Sequence, residues 1–237
     1  MARCYFVSDL HLFARRSEVH RYLEEIEAKA RGAEMFILGG DIFDFHWTTM
    51  RSVGHAVEEA VRWLETLAAD CPLCDFHFLL GNHDYHQGFI DRLADLESRV
   101  TNLSWHRYYF RHGVNMFLHG DVADRPTTAE MLSLRRARWL HRKARAPVWH
   151  HLYDLVIAAQ LHRPVPYMVY PRRRVARRIL SYLCDIGQGP DQGVRHVYFG
   201  HIHRTMADYS YGGLMFHNGG APIKGTRFRV VDVASVD

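Results

Sequence analysis

The stretch FHFLLGNHDYH, residues 76–86, decides how the rest of the chain is read. Phe76, Phe78, Leu79 and Leu80 form an apolar run of strand length. The run stops at Gly81 and is followed at once by Asn82, His83 and Asp84. A buried strand that ends in an amide, an imidazole and a carboxylate sets groups that bind metal or move protons at the mouth of a sheet.

Outward from this stretch, the same ending recurs at four more apolar runs. SDLH brings Asp9 and His11, GGDIFDF brings Asp41 and Asp44, LHGD brings His119 and Asp121, and FGHIH brings His201 and His203. In α/β sheets the crevice at the carboxyl ends of the strands is where ligands bind. One Asp or His at a strand end is more often a turn former than a ligand, but five such endings in one chain set that reading aside. The inventory holds carboxylates, imidazoles and one amide, with no thiolate, which suits Mn, Fe or Zn. Asp9, His11, Asp41, Asn82, His119, His201 and His203 exceed what one tetrahedral ion needs, whereas two ions sharing a bridging carboxylate would use them. Two ions roughly 3.5–4 Å apart can bind a phosphoryl group, generate hydroxide and stabilise a leaving oxygen. Asp44, Asp84 and Asp121 are expected to orient imidazoles or hold the loops. The remaining histidines, His77, His106, His196 and His217 among them, receive no role.

The segments between these endings alternate in period. RCYFVS (3–8), MFILGG (35–40) and residues 76–80 read as strands, separated by amphipathic helices over 17–31 and 55–70. This alternation predicts a layered α/β architecture. After a short helix near 88–97 the period drops to two in LSWHRYYFRHGVNMFLHG, as expected of adjacent strands or a hairpin turning at Gly113. RHVYFGH, LMFHN and FRVVDV supply three more strands. Before them, from about 122 to 190, TTAEMLSLRRARWLHRKAR, PVWHHLYDLVIAAQLH and RRRVARRILSYLCDI read as helices. We expect one domain over 1–237 with this helical segment inserted in it.

A chain of 237 residues, 48% hydrophobic and 24% charged, is ordinary for a globular protein with a real core. Four scattered cysteines exclude a disulfide scaffold, and the single CxxC of Cys71 and Cys74 lacks partners for a zinc site. No leader is visible in MARCYFVSDLH, and no run approaches the ~20 apolar residues a membrane span needs. A cytoplasmic location is expected.

Taken together, D-x-H, G-D-x-x-D, G-N-H-D, H-G-D and G-H-x-H resemble the calcineurin-like metallophosphoesterase superfamily, over about residues 1–121 and 195–237. The resemblance implies a four-layer α/β/β/α sandwich with its active site in the strand-end cleft. It implies that Asp9, His11, Asp41 and His203 hold one divalent ion and Asp41, Asn82, His119 and His201 the other, Asp41 bridging. It further implies that His83 sits by the phosphate as proton donor or charge stabiliser, in a hydrolase that cleaves a phosphodiester or pyrophosphate bond with hydroxide activated by two divalent ions, Mn first among them.

The gap from His119 to His201 is at least twice any of the three gaps before it, which locates the insertion. Residues 134–178 hold twelve Lys/Arg against one acid, Asp154, in a chain of net charge +4. Trp139, Trp149, Tyr153, Tyr167 and Tyr170 are interleaved with them. A solvated basic face, a stripe for nucleic-acid phosphates and a lid meeting anionic headgroups at the inner membrane surface all fit this composition. The apolar face of VWHHLYDLVIAAQL favours the lid. HGD followed by helices also resembles the UDP-2,3-diacylglucosamine pyrophosphatase branch, enzymes of lipid A synthesis that release UMP and a lipid monophosphate. The chain departs from that branch at His83, where the branch reads G-N-R-D. Histidine there is what general phosphatases and phosphodiesterases of the superfamily carry, so a general phosphodiesterase or phosphatase, or a nuclease using the Arg-rich insertion, is the alternative.

Overall fold

Apolar runs with no polar alternation are what strands covered on both faces require, and three of them lie side by side here. The computed structural model describes residues 3–145, Trp149 and residues 165–235. β1 (Cys4–Val7), β2 (Met35–Leu38), β3 (Asp75–Leu79) and β4 (Leu103–His106) are parallel neighbours in that order. The strand Val231–Asp232 closes the β1 edge antiparallel. A second sheet contains the hairpin of β5 (Tyr109–His112) and β6 (Asn115–Leu118), then β7 (His196–Phe199) parallel to β6. β8 (Met206–Tyr211) forms its far edge, paired with β9 (Leu214–Asn218), which runs parallel to β7. The expected hairpin is therefore β5–β6, turning at Gly113 with φ +56°, while the strand before it belongs to the other sheet.

The side-chain period of two divides the core into layers. Phe6, Ile37 and Leu79 of the first sheet meet Phe117 and Tyr198 of the second. Their neighbours Val7, Phe36, Leu38, Phe76 and Phe78 point the other way, onto α1 (Leu23–Arg31), α2 (Val53–Asp70) and α3 (Gln87–Arg99). Met116, Leu118, Val197 and Phe199 of the second sheet likewise face α4 (Ala129–Ala137) and the helix Arg172–Asp185. Each fully buried Phe or Leu contributes about 1.5–3 kcal/mol, so this alternation fixes the register against a one-residue slip. The four layers are the α/β/β/α sandwich that the family resemblance implies.

The helical segment departs from its expected outline. α4 ends at Ala137, not near 145, because Arg135 and Arg136 turn inward and Trp139 and Leu140 pack on the first sheet's helical core. The chain then crosses the rim: Gln87 N–H donates to Leu140 O at 2.9 Å and Arg145 N–H to His46 O at 2.8 Å. α5 (Val165–Val169) and α6 (Arg172–Asp185) follow. α6 buries Val175, Ala176, Ile179 and Leu183 as the second sheet's outer layer. The expected helix PVWHHLYDLVIAAQLH, apart from Trp149, lies outside the described residues. No helix among the described residues is long and apolar enough to cross a membrane.

Candidate metal centre

In register, the carboxyl ends of β1, β2 and β3 in one sheet and β6 and β7 in the other all face the same crevice. Asp9, Asp41, Asn82, His119 and His201 are the first donors past these ends. The backbone there is unusual. Asp9 (φ +56°), His11 (+49°), Asp41 (+53°), His201 (+67°) and His203 (+50°) all adopt left-handed conformations. Such conformations are uncommon for non-glycine residues and cost about 1–3 kcal/mol each, so they persist where surrounding structure and function demand them. Five of the seven such residues in the described chain are candidate ligands.

Two glycines make the convergence possible. A Cβ on Gly81 would land on the Asp41 carboxylate, and one on Gly200 would land on that of Asp9. With both positions bare, His83 N–H donates to Asp41 Oδ1 at 2.7 Å, and His201 N–H donates to the Asp9 carboxylate at 2.9 Å.

The donor atoms converge in three overlapping groups. Those of Asp9, His11 and His203 lie within 4.8 Å of one another, as do those of Asp41, His119 and His201, and those of His11, Asp41 and His83. Asn82 Oδ1 joins the second group, 3.2 Å from His119 Nε2 and 2.9 Å from His201 Nδ1. His11 Nε2 and His203 Nε2 face each other at 3.0 Å, and His119 Nε2 is 3.3 Å from Asp41 Oδ2. Lone pairs pointed at a common centre by buried carboxylates and imidazoles suit divalent ions of the Mn, Fe or Zn type.

The far nitrogens of these imidazoles are held from behind, the arrangement that fixes a ligand's tautomer and orientation. His119 Nδ1–H donates to Gly39 O at 3.2 Å, and His11 Nδ1 meets Asp44 Oδ2 at 3.2 Å. His83 Nδ1 meets Asp44 Oδ1 at 2.9 Å. His201 Nε2 meets Asp124 Oδ1 at 2.7 Å, and the Tyr170 hydroxyl donates to that same oxygen. Asp44 thus orients two imidazoles and also accepts from Arg16 and from the Trp47 amide. Asp84 holds loops, accepting from Gly81 N–H and Ile42 N–H. Asp121 orients no imidazole directly and instead binds Arg136 through both oxygens, at 3.1 and 2.8 Å.

Electrostatics follow from burial and these pairings. Burial pushes His11 down to about 4, helped by the Arg16 guanidinium, against its bond to Asp44. Burial also works against charge on His83 and His119, but nearby carboxylates win: Asp44 and Asp41 raise His83, and Asp41 takes His119 up to about 10. Asp84 is pushed up to about 7 by burial and by the Asp41 carboxylate.

Asp124, Tyr170 and Arg16 were missed from sequence. A signal for Asp124 was present: GDIFD (40–44) and GDVAD (120–124) share the spacing G-D-x-x-D, and in both the last Asp stands behind an imidazole. Cys71 and Cys74 are buried free thiols, with Cys74 pushed up to about 12 by burial.

The profile of the calcineurin-like phosphoesterase family matches residues 2–205. No curated protein matches the chain. Among solved structures, a dimetal phosphatase from Danio rerio is 14% identical, covering 98% of this chain and 98% of its own, with a TM-score of 0.45. Yfce, a phosphoesterase from E. coli, is 13% identical, covering 94% of this chain and 83% of its own, with a TM-score of 0.39.

Proposed function

The chain belongs to the calcineurin-like phosphoesterase family, metal-dependent hydrolases of phosphate esters, and from that membership we propose how its own residues divide the work. Asp9, His11, Asp41 and His203 hold one divalent ion, and Asp41, Asn82, His119 and His201 hold the other, with Asp41 between them. The observation that carries this reading is the convergence of donors from five strand ends of two sheets on one crevice. When bound, such a pair supplies a Lewis acid for the phosphoryl oxygens and a water of lowered pKa. Manganese is our proposal for the metal, on the hard oxygen and imidazole donor set.

His83 is the group we assign to the departing oxygen. Asp44 anchors its Nδ1 at 2.9 Å, which leaves Nε2 to hold and deliver a proton. Its side chain stays 17% exposed beside fully buried Asp44, as a residue that meets substrate must. Asp44 and Asp84 serve as supports for the imidazoles and the loops, and Asp121 anchors the insertion through Arg136.

We read residues 1–237 as one domain with an insertion at about 122–190, whose last helix doubles as the second sheet's outer layer. For the substrate we propose a lipid-linked nucleotide of the UDP-2,3-diacylglucosamine kind, cleaved at its pyrophosphate to UMP and the lipid monophosphate. Among the described residues, six of the eight exposed large hydrophobics, Met131, Leu134, Trp149, Tyr167, Met168 and Val169, fall in the insertion, Leu73 and Tyr109 lying elsewhere; this supports acyl-chain contact and a peripheral position at the inner membrane surface. The alternative is a general phosphodiesterase or a nuclease. It draws on Arg172, Arg173, Arg174 and Arg177, exposed on α6, whereas Arg135 and Arg136 are already engaged by Asp121.

Product analysis decides between them. Mn-loaded protein is incubated with UDP-2,3-diacylglucosamine, bis-p-nitrophenyl phosphate and single-stranded DNA or RNA. Detergent-dependent release of UMP from the lipid nucleotide supports the leading reading. Salt-sensitive cleavage of nucleic acid in its place supports the alternative. Failure to open any of the esters overturns both.

A further inference from the structure

A cavity of about 300 Å³ shares His203 with the metal centre and is otherwise lined by Tyr167, Arg204, Thr205, Thr226 and Arg227. Its volume is at the small end of ligand sites, and its wall is cationic. Arg204 is held in place on two sides. Its guanidinium lies 4.4 Å from the centroid of the Tyr167 ring, and Nη1 donates to Tyr170 O at 3.1 Å. Its Nε is buried with no hydrogen-bond partner. Among the described residues no carboxylate pairs with Arg204 or Arg227, and Arg172 adds a like charge nearby. A guanidinium held on two sides, paired with no carboxylate and with a like charge nearby, is preorganised for an anion.

We propose that this cavity is an anion subsite, in which Arg204 and Arg227 seat a second phosphate of the substrate while the scissile phosphate occupies the adjoining metal centre. The inference rests on the reading of that centre as the place of phosphate-ester cleavage. It narrows the substrate class to phosphate esters that carry two phosphates. The second phosphate is either joined to the scissile one as a pyrophosphate or borne elsewhere on the same molecule.

Affinity for product-like ligands tests this without relying on turnover. Isothermal titration of the Mn-loaded protein compares uridine 5′-monophosphate with uridine 5′-diphosphate, and thymidine 5′-monophosphate with thymidine 3′,5′-bisphosphate. The second phosphate is expected to tighten binding by about tenfold or more in at least one pair, the worth of a charge-assisted hydrogen bond. The pair that shows the gain identifies the source. In Arg204→Gln and in Arg227→Gln the gain shrinks several-fold, with the unfolding midpoint confirming that each variant folds. No gain in either pair, or a gain equal in wild type and both variants, overturns the subsite. Turnover of bis-p-nitrophenyl phosphate is measured alongside. If it is absent while the gain persists, the catalytic reading fails and the subsite stands.

Discussion

Asp124 Oδ1 lies 2.7 Å from His201 Nε2, and the hydroxyl of Tyr170 donates to the same oxygen at 2.7 Å. Asp124 follows the 3-10 turn Asp121–Ala123, and Tyr170 sits between α5 and α6, so the helical segment reaches a proposed ligand through one carboxylate. Partners of this kind are worth about 10–100-fold in metal affinity. Asp124→Ala is expected to weaken one of two metal equivalents by that order, and Tyr170→Phe by less, as read by equilibrium dialysis against a graded Mn buffer. Equal loss from both equivalents, or none, refutes the link.

Asp41 receives the His83 amide, stands 3.3 Å from His119 Nε2, and belongs to two of the donor groups. Its carboxylate is held well below the usual range, since His119 and His83 overcome the penalty of burial. If it lies between two ions, Asp41→Ala should bring hydrolysis of bis-p-nitrophenyl phosphate to background and lower the bound metal below two per chain. Retained turnover contradicts the assignment.

His83 requires a different signature, because its ring also joins a donor group with His11 and Asp41. A proton donor contributes about 10²–10⁴-fold to the rate, whereas a ligand contributes metal. His83→Ala is therefore expected to keep two metal equivalents by elemental analysis while kcat falls within that range. The loss should be smaller for an ester whose leaving group needs no proton, such as p-nitrophenolate, than for an alkyl ester. Loss of an equivalent of metal would make His83 a ligand instead.

The candidate ligands were legible because metal chemistry restricts residue type and because each follows an apolar run, as in FHFLLGNHD. Their backbone was not, since nothing in the letters of Asp9 or His201 announces a positive φ; only the packed sheets around them impose it. β8 escaped notice because MADYSY is an edge strand exposed along much of its length, with a register shift between Met206 and Tyr209, so its period is blurred. The change of sheet between β4 and β5 is likewise a tertiary choice that alternation alone leaves open. Charge counting misjudged the insertion in one respect: Arg136, counted with the basic surface, is 1% exposed.

Arg136 ties the helical segment to the strand ends. Besides its two bonds to Asp121, it donates to Leu80 O and to Arg107 O. Removing one partner of a buried pair leaves an uncompensated charge, at about 3–5 kcal/mol. Asp121→Asn and Arg136→Met should each lower the denaturant midpoint accordingly. The double replacement Asp121→Leu with Arg136→Met should recover part of that loss by removing both charges of the closer pair, although the two carbonyls stay unpaired and Arg135 loses its 3.5 Å contact with the Asp121 carboxylate. A double variant as unstable as the sum of the singles would show that the carbonyl bonds, not the ion pair, carry the effect.

Away from the metal centre, His77 and His106 share a hydrogen bond at 3.0 Å and stack on Phe110, with ring centroids 3.9 and 4.6 Å away. Burial pushes both down to about 4, and for His77 the neighbouring His106 and His112 add to the shift. In the fold they stay neutral at pH values where the unfolded chain, with histidines near their ordinary 6.5, already takes up protons. The unfolded state therefore gains protons that the native state refuses, and stability falls as pH drops from about 6.5 to about 4. Below about 4 both states are protonated and this contribution levels off. Replacing both by Phe, which preserves the stacking on Phe110, should leave the urea midpoint near neutral pH little changed and flatten its decline across that window. An identical decline in wild type and the double variant would place the acid sensitivity elsewhere, with His196 and His217, a second hydrogen-bonded pair also pushed down by burial, the next to replace.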